Sequence, residues 1–344
     1  MDTMKFYNYD LISSIINFSE MKNKKILITG ATGLIGLHLI SALQSIRKQY
    51  NIQIYCWVNS NIESIHSDIF VDCNIIKGNL TDIKNIEKLQ SEFVEILDGF
   101  DYVIHAAGYG QPQKFMNDKL NTITLNTTTT LNLFKLLNKG GTFVFCSTSE
   151  LYSGIDEEFI CEQRIGTTSP DHPRACYIEA KRCGEAICHA QAIDYNVKIA
   201  RISLAYGPGT KKNDSRVLNN IIQKAILNKK IDLLDSGKSI RTYCYISDVV
   251  EMILNIMLKG KHIIYNVAGK SKISIADLAN SVGDMMNVDV IIPYDDNKSL
   301  NGNPTIVHLD IDRYVNEFSK IKFIDITEGL NQTIMWQKGL YDEV

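Results

Sequence analysis

The sequence has no excess of positive charge. Its 36 lysines and arginines stand against 39 aspartates and glutamates, a net of -3 at pH 7, which argues against nucleic acid as a partner. Its eight cysteines include no C-x-x-C pair, and most sit in apolar runs. That excludes the ordinary zinc spacing and a disulfide framework, and it leaves buried free thiols in a reducing, cytoplasmic setting. No apolar run reaches the roughly 20 residues that span a bilayer, so no membrane partner is expected. Residues 1–22 hold one short apolar run, Leu11 to Phe18, without a strong basic leader or a small-residue cleavage site. They read as an extra helix packed on the domain, not as a signal peptide. Internal repeats and low-complexity linkers are missing as well. What remains is an ordinary globular composition, 45% hydrophobic over 344 residues, enough to bury a substantial core in one large or two medium domains.

Residues 25–40, KILITGATGLIGLHLI, organise the rest of the chain. Lys25 to Thr29 is a short apolar run of the kind that forms a strand buried on both faces. Gly30, Gly33 and Gly36 follow at three-residue spacing, and Leu34, Leu37, Ile40 and Leu43 then begin a helical period. This order places a helix N-terminus at the end of a buried strand, where free N–H groups and the positive dipole end suit a pyrophosphate. Gly30, Thr32, Gly33, Leu34, Ile35 and Gly36 are therefore expected to line a dinucleotide site.

Ile52–Val58 reads as the second strand. The position that would hold the adenosine ribose falls near Asn59 and Ser60, with neither an Asp for NAD nor an Arg for a 2′-phosphate. NAD is favoured over NADP, because no cluster of cations awaits a phosphate. Residues 75–82 read as a third strand and a turn containing Asn79 and Leu80, followed by a helix over 82–97. Tyr102–Gly108 is the next strand, and the small residues Ala106, Ala107 and Gly108 would let a cofactor lie close. His105 reads as a core histidine satisfied at the strand end. A helix is expected over Asn121–Leu137, held by burial, since four consecutive threonines are poor helix formers.

Thr142–Cys146 is a strand that delivers Ser147-Thr148-Ser149-Glu150-Leu151-Tyr152. A helix then runs from near Pro173 to about Ile193, and Val197–Leu204 is a further strand. Alternating strands and helices to residue 204 predict an α/β fold, a Rossmann-type doubly wound parallel sheet. The expected organisation is an N-terminal extension at 1–22 and a dinucleotide-binding domain at 23–204. Residues 205–344 would be mainly a smaller C-terminal substrate-binding lobe with segments returning to the sheet.

Tyr177 and Lys181 lie four apart on a predicted helix and so share a face. An unperturbed phenol is a poor base at neutrality, and a nearby ammonium together with a cationic nicotinamide ring would lower its pKa. Tyr177 would then take a proton from a hydroxyl, with Lys181 also reaching a ribose. Thr148, Ser149 and Glu150 fall at the C-terminal end of a strand, where ligands lie in open α/β sheets. Thr148 would share the proton with Tyr177, and Glu150 is placed to act as a carboxylate base.

TGATGLIG, HAAG, STSELY, YIEAK, AYGPG and RTYCYISD, in this order, resemble the nucleotide-sugar epimerase/dehydratase branch of the extended short-chain dehydrogenase/reductase family, over roughly residues 25–250. NVAG at 266–269 continues the pattern. PRACYIEAKR and KNDSRV look most like UDP-glucuronate decarboxylases, and STSELY is equally similar to GDP-mannose 4,6-dehydratases. The resemblance implies bound NAD, with cofactor contacts that include Asn59, Asn79 at an adenine amino group, and Asn126. It implies a nucleotide-diphosphate sugar as substrate, contacted by Tyr109 and clamped at its diphosphate by Arg216 and Arg241, and a homodimer. Oxidation at C4 by Tyr177 would be followed by proton transfer at C5 by Glu150, giving 4,6-dehydration or epimerisation.

Three departures from the pattern stand out. Decarboxylases carry an arginine in the segment matching Pro304–Asp310, where this chain has Val307 and no cation except His308. Leu204 replaces an asparagine before the Tyr-Gly-Pro turn, and Ser149 replaces the aspartate of many hexose dehydratases. Decarboxylation, reduction of a 4-keto sugar and a non-catalytic dinucleotide-binding regulator remain alternatives.

Overall fold

Ile26 to Thr29 have no solvent exposure at all, so the first strand is sheathed on both faces and a sheet must continue on either side of it. The computed structural model describes residues 4–92, 98–155, 157–294 and 306–342. The strands begin with Lys25–Thr29 (β1), Gln53–Val58 (β2), Asn74–Lys77 (β3), Phe100–His105 (β4), Leu137–Thr148 (β5) and Asn196–Ile202 (β6). Next come Leu204–Tyr206 (β7), Lys230–Asp232 (β8) and Ile240–Tyr245 (β9). Ile264–Val267 (β10), Ser271–Ser274 (β11), Asp289–Ile291 (β12) and Ile306–Val307 (β13) complete them.

Seven strands form the main sheet in the order β3-β2-β1-β4-β5-β6-β10, and every pairing is parallel. Strand order reverses between β1 and β4, which opens a crevice at their C-terminal ends. The Rossmann-type α/β expectation is what the chain adopts. Beyond β6, β7, β11 and β13 each pair with β9 in a small sheet, and β8 pairs with β12. Helices Val217–Asn228, Ile275–Met286 and Ile326–Asp342 cover this region with Leu218, Ile222, Leu278, Val282, Leu330 and Ile334. β10 returns to the main sheet beside β6.

Three local expectations need correction. The helix expected over 121–137 starts earlier, at Lys119, and breaks at Thr127 (φ -116°, ψ -81°) before resuming at Thr128–Leu133. The threonines cause the break: Thr127 and Thr130 donate to the carbonyls of Ile123 and Asn126 at 2.8 Å, a competition that bends helices. β5 consequently begins at Leu137, five residues before the expected start. The N-terminal residues form three short turns, Met4–Tyr7, Ile12–Ile15 and Ser19–Met21, in place of one helix. Tyr7, Ile12, Ile16, Phe18 and Met21 are nevertheless buried in the main core. The helix expected over 82–97 is present at Ile83–Glu92, and its remaining residues, like Pro304 and Thr305, lie outside the described ones.

The N-terminal segment also fixes His38, which is 1% exposed on the helix after the glycine turn. Its Nε2–H donates to the Pro208 carbonyl at 2.9 Å, so Nδ1 is the acceptor for the Tyr9 hydroxyl at 2.9 Å. Burial lowers the His38 pKa to about 4, against a rise from the Pro208 hydrogen bond. The fold therefore prefers neutral His38: its contribution is complete above the unfolded value near 6.5 and is lost as pH falls toward 4. That loss amounts to roughly 3 kcal/mol. In urea unfolding at pH 7 and pH 4.5, His38→Gln is expected to be destabilised at pH 7 and to lose less further stability on acidification than the wild type.

Candidate active site

Gly30 is the point where β1 turns into the crevice. Its φ is +68°, and a Cβ there would meet the Ala106 carbonyl carbon and oxygen and the Ala107 Cα at 2.7 Å. Only glycine allows the turn to lie this close to the loop after β4. Gly33 caps the helix Leu34–Tyr50 without any side-chain hydrogen bond, so the first N–H groups of a 17-residue helix are left for an anion. A cavity of about 360 Å³ opens there.

Gly30, Thr32, Gly33, Leu34, Ile35, Gly36, Asn59, Asn79, Leu80, Ala106, Ala107 and Gly108 line this cavity, as do Tyr109 and Arg216. Its wall also includes Gly209, the last residue of AYGPG, and Trp57, Gln111, Lys114, Thr210 and Lys211, which carried no motif in the sequence. Asn126 lies elsewhere. It is fully buried, and its Nδ2 donates to the Thr122 carbonyl at 2.7 Å. An asparagine one turn along a buried helix bonds its own backbone, so the structure does not bring it to the cavity.

Asn79 is in the wall, but its Oδ1 accepts from the N–H of Thr81 at 3.0 Å and its hydroxyl at 2.9 Å. Both hydrogen bonds hold the turn that carries Asn79. His105 is fully buried, with Nε2 donating to Leu125 O at 3.0 Å and Nδ1 accepting from Thr29 Oγ1 at 2.7 Å. It is the satisfied core histidine that its place at the strand end suggested.

The helix Ala175–Gln191 carries Tyr177 and Lys181; neither lines the cavity itself, and Lys181 reaches it through Gly108. The helix approaches the sheet closely because Gly184 has no side chain, a Cβ there lying 2.5 Å from Phe145 Cζ. Lys181 is 4% exposed and donates to the Cys146 carbonyl at 2.6 Å. Its Nζ lies 3.7 Å from where a Cβ of Gly108 would be, and burial lowers its pKa to about 8. Tyr177 stacks face to face on Phe115, with ring centroids 4.5 Å apart. Its hydroxyl is hydrogen-bonded to the Thr148 side chain, while the Thr148 Oγ1 accepts from the N–H of Glu150 at 3.2 Å.

With Lys181 alone nearby, the Tyr177 pKa is not lowered. Burial first, and then the charge of Glu150, push the phenol up to about 12. The Lys181 ammonium donates to the Cys146 carbonyl and lies 6.0 Å from the Tyr177 ring centroid.

Glu150 sits on the short turn Ser149–Tyr152, next to buried Ser149. Its Oε1 forms an ion pair with Arg174, and its Oε2 is buried with no partner. Burial holds its pKa above the usual carboxylate range, against the pull of Arg174 and then Arg241. Arg174 was the residue missed in the sequence. It lies 24 positions away, and only its place two residues before Cys176-Tyr177 in PRACY hinted at it. Arg241 donates to its own neighbour Ile240 at 2.8 Å. Arg216 is held by Asp214 (Nη2–Oδ2 2.7 Å) and donates to Ala205 O at 3.2 Å. Tyr109, expected at the substrate, donates to Asp118 at 3.1 Å.

Behind the turn lies a buried network that sequence reasoning also missed. Ser147 donates to Glu185 at 2.6 Å, Glu185 pairs with Arg201 at 2.7 Å, and Arg201 donates to the Tyr152 hydroxyl at 2.9 Å. Tyr152 in turn donates to Asn266 Oδ1 at 2.7 Å. The NVAG segment thus braces the STSELY turn. Among the described residues no cluster of His, Cys, Asp or Glu could hold a metal ion, and no helix is long and apolar enough to cross a membrane.

UDP-glucuronic acid decarboxylase 1 of Xenopus tropicalis is 27% identical over 330 residues, 92% of this chain and 72% of that protein. UDP-glucuronic acid decarboxylase 6 of Arabidopsis thaliana is 28% identical over 278 residues, 78% of this chain and 76% of that protein. Among solved structures, UDP-glucose 4-epimerase of Thermotoga maritima with UDP-glucose superposes with a TM-score of 0.76 at 19% identity, over 92% of this chain and 99% of that one. UDP-glucuronic acid 4-epimerase of Bacillus cereus, with UDP-glucuronic acid and NAD, gives 0.74 at 21% identity, over 92% and 100%. These likenesses show the fold. The model of the NAD dependent epimerase/dehydratase family matches residues 26–268. With that match running from the second residue of β1 to the residue after β10, through the glycine turn and the Tyr177 helix between them, the chain belongs to the NAD-dependent epimerase/dehydratase family.

Proposed function

We propose that this enzyme oxidises C4 of a nucleoside-diphosphate sugar and then acts at C5, by 4,6-dehydration or by epimerisation. The observation that carries the reading is the arrangement of Tyr177, Thr148 and Glu150. A phenol hydrogen-bonded to a threonine lies within electrostatic reach of a buried carboxylate that has one unpartnered oxygen. The residues present suit a dinucleotide: the Gly30 turn, the uncapped helix N-terminus and the floor of Ala106, Ala107 and Gly108 offer backbone donors and room. When bound there, NAD supplies the hydride acceptor and, oxidised, a positive charge. Lys181, beneath Gly108, is placed to hold a ribose hydroxyl, and Thr148 to steady the phenolate of Tyr177. Tyr177 takes the C4 hydroxyl proton. The resulting ketone acidifies the C5 proton, which Glu150 removes.

Arg174 makes these two roles compatible. A negative Glu150 raises the Tyr177 pKa, and the Arg174 guanidinium offsets that charge while keeping the carboxylate ionised. Decarboxylation is the second reading, and one observation favours it. Arg174 and Arg241 both act on Glu150, so two cations are at hand for a sugar carboxylate although Val307 offers none. The named relatives are UDP-glucuronic acid decarboxylases. All eight cysteines are unpaired, which supports a reducing cytoplasmic setting. Exposed Leu120, Ile123 and Leu131 on the helices from Lys119 to Leu133 support pairing with a second copy.

Mass spectrometry of products from UDP-, GDP-, CDP- and dTDP-sugars separates the readings. Loss of water or an unchanged mass with C5 inverted supports the first, and loss of carbon dioxide supports the second. Glu150→Gln is expected to lower deuterium uptake at C5 about 100-fold or more while oxidation at C4 persists; undiminished exchange would remove Glu150 from the role of base. Arg174→Met takes away the largest influence lowering the Glu150 pKa, so the acid limb of the rate profile should move to higher pH. Gly30→Ala, with 2.7 Å contacts to backbone, should be purified with little bound NAD, read by absorbance of the heat-released nucleotide.

A further inference from the structure

No cation stands beside Asn59 in the sequence, but the fold brings one to it from elsewhere. Lys211 lines the cavity together with Asn59, although it belongs to the loop after β7. Its Nζ lies 3.1 Å from Oε1 of Glu63, which follows Asn59 on the segment leaving β2. Both halves of this pair stand on fixed backbone. The Glu63 carbonyl accepts from the His66 N–H at 2.9 Å, and Ile69 and Phe70 of the same turn are buried in the main core. The Glu63 side chain makes no hydrogen bond to the turn Ser64–Phe70 that it precedes, which leaves its carboxylate for Lys211. On the other side, the Thr210 carbonyl accepts from Trp336, and the Lys211 carbonyl accepts from the Asp214 N–H at 3.1 Å.

The pair therefore joins the far wall of the cavity to the segment after β2. In a doubly wound sheet the end of the second strand is where the 2′ position of the adenosine ribose is read. Among the described residues, Lys114, Lys211 and Arg216 are the cations that line the cavity. Arg216 is held by Asp214 at 2.7 Å. Lys114 precedes Phe115, whose ring stacks on Tyr177, and so belongs to the proton-transfer end. His66 lies beside the pair but stacks on Trp336, and burial lowers its pKa, so it adds no charge at neutrality. Lys211 is the cation at the ribose end, and its charge is met by Glu63. A 2′-phosphate would have to compete with Glu63 for the ammonium and would face the carboxylate's like charge. A 2′-hydroxyl meets neither penalty.

We propose that Glu63 sets the choice of NAD over NADP, by occupying Lys211 so that this ammonium does not serve a 2′-phosphate. This choice is independent of the reaction at C4 and C5. It is tested by equilibrating the purified enzyme with an equimolar excess of NAD and NADP and separating the heat-released nucleotides by chromatography. The wild type should hold mainly NAD. In Glu63→Gln the ratio of NAD to NADP should fall about tenfold, with one repulsion removed and one ammonium released at a half-exposed site. The double variant Glu63→Gln/Lys211→Gln should recover most of the wild-type ratio, because the released ammonium is gone. A pair whose side chains are 43% and 50% exposed adds little stability, so all three proteins fold. An unchanged ratio in Glu63→Gln overturns the role of Glu63, as does a fall that persists undiminished in the double variant. A wild type that holds NADP as readily as NAD overturns it too.

Discussion

Backbone against backbone at Gly30 is the contact on which the site depends. The turn after β1 lies so near the loop after β4 that a single methyl group would overlap Ala106 and Ala107. That closeness sets the width of the crevice where strand order reverses. It also sets what the crevice can offer, since walls made of main chain present N–H groups and no bulky side chains. Gly108, three residues beyond His105 at the end of β4, roofs Lys181. The cofactor cavity and the proton-transfer residues are thus two sides of one thin layer.

Below that layer the electrostatics are tightly coupled because water is largely excluded. Burial alone would neutralise Lys181, Tyr177 and Glu150 alike, and each has its pKa moved in the direction of its uncharged form. Any charge is therefore kept by a specific partner: the Cys146 carbonyl for Lys181 and the Arg174 guanidinium for Glu150. For Tyr177 the Thr148 hydroxyl and the more distant Arg174 do not overcome burial, and it stays protonated at neutrality. A site poised in this way responds strongly to one added positive charge, because the low dielectric that disfavours ions also strengthens their attraction.

The parts legible in the sequence were those whose physics is local. A buried apolar run, three glycines and a helical period stand within sixteen residues, and they announce a strand, a turn and an anion-binding helix end. Tyr177 and Lys181 were legible because four residues is one helical turn. Partners brought from afar were not. Arg174 meets Glu150 across 24 residues, Tyr152 meets Asn266 across 114, and His38 meets Pro208 across 170. Asn126 and Asn79 show another thing the sequence did not reveal, their local hydrogen bonds. Both are polar residues near the expected ligand, but a short amide side chain bonds first to the backbone beside it, as each does here.

The far wall of the cavity shows where the family pattern stops explaining this chain. Gly209, Thr210 and Lys211 face the glycine turn, and each attachment of that loop to the body runs through residues outside the glycine motif. Pro208 is held by His38, and His38 by Tyr9. The Thr210 carbonyl accepts from Trp336 Nε1 at 2.8 Å, and Trp336 packs edge-to-face on Phe6 and Tyr7 and stacks on His66. Tyr7, Tyr9 and Trp336 all lie beyond the span 26–268 that the family model covers. The N-terminal turns and the last helix therefore act as a single buckle, drawing the loop against the first helix of the sheet. The loop is backed by stacked rings and neutral hydrogen bonds, and it carries one exposed ion pair, Lys211 Nζ to Glu63 Oε1 at 3.1 Å. That wall is set mainly by packing and the floor by buried ion pairs, so ionic strength should act on the exposed Lys211–Glu63 pair of the wall more than on the buried pairs of the floor.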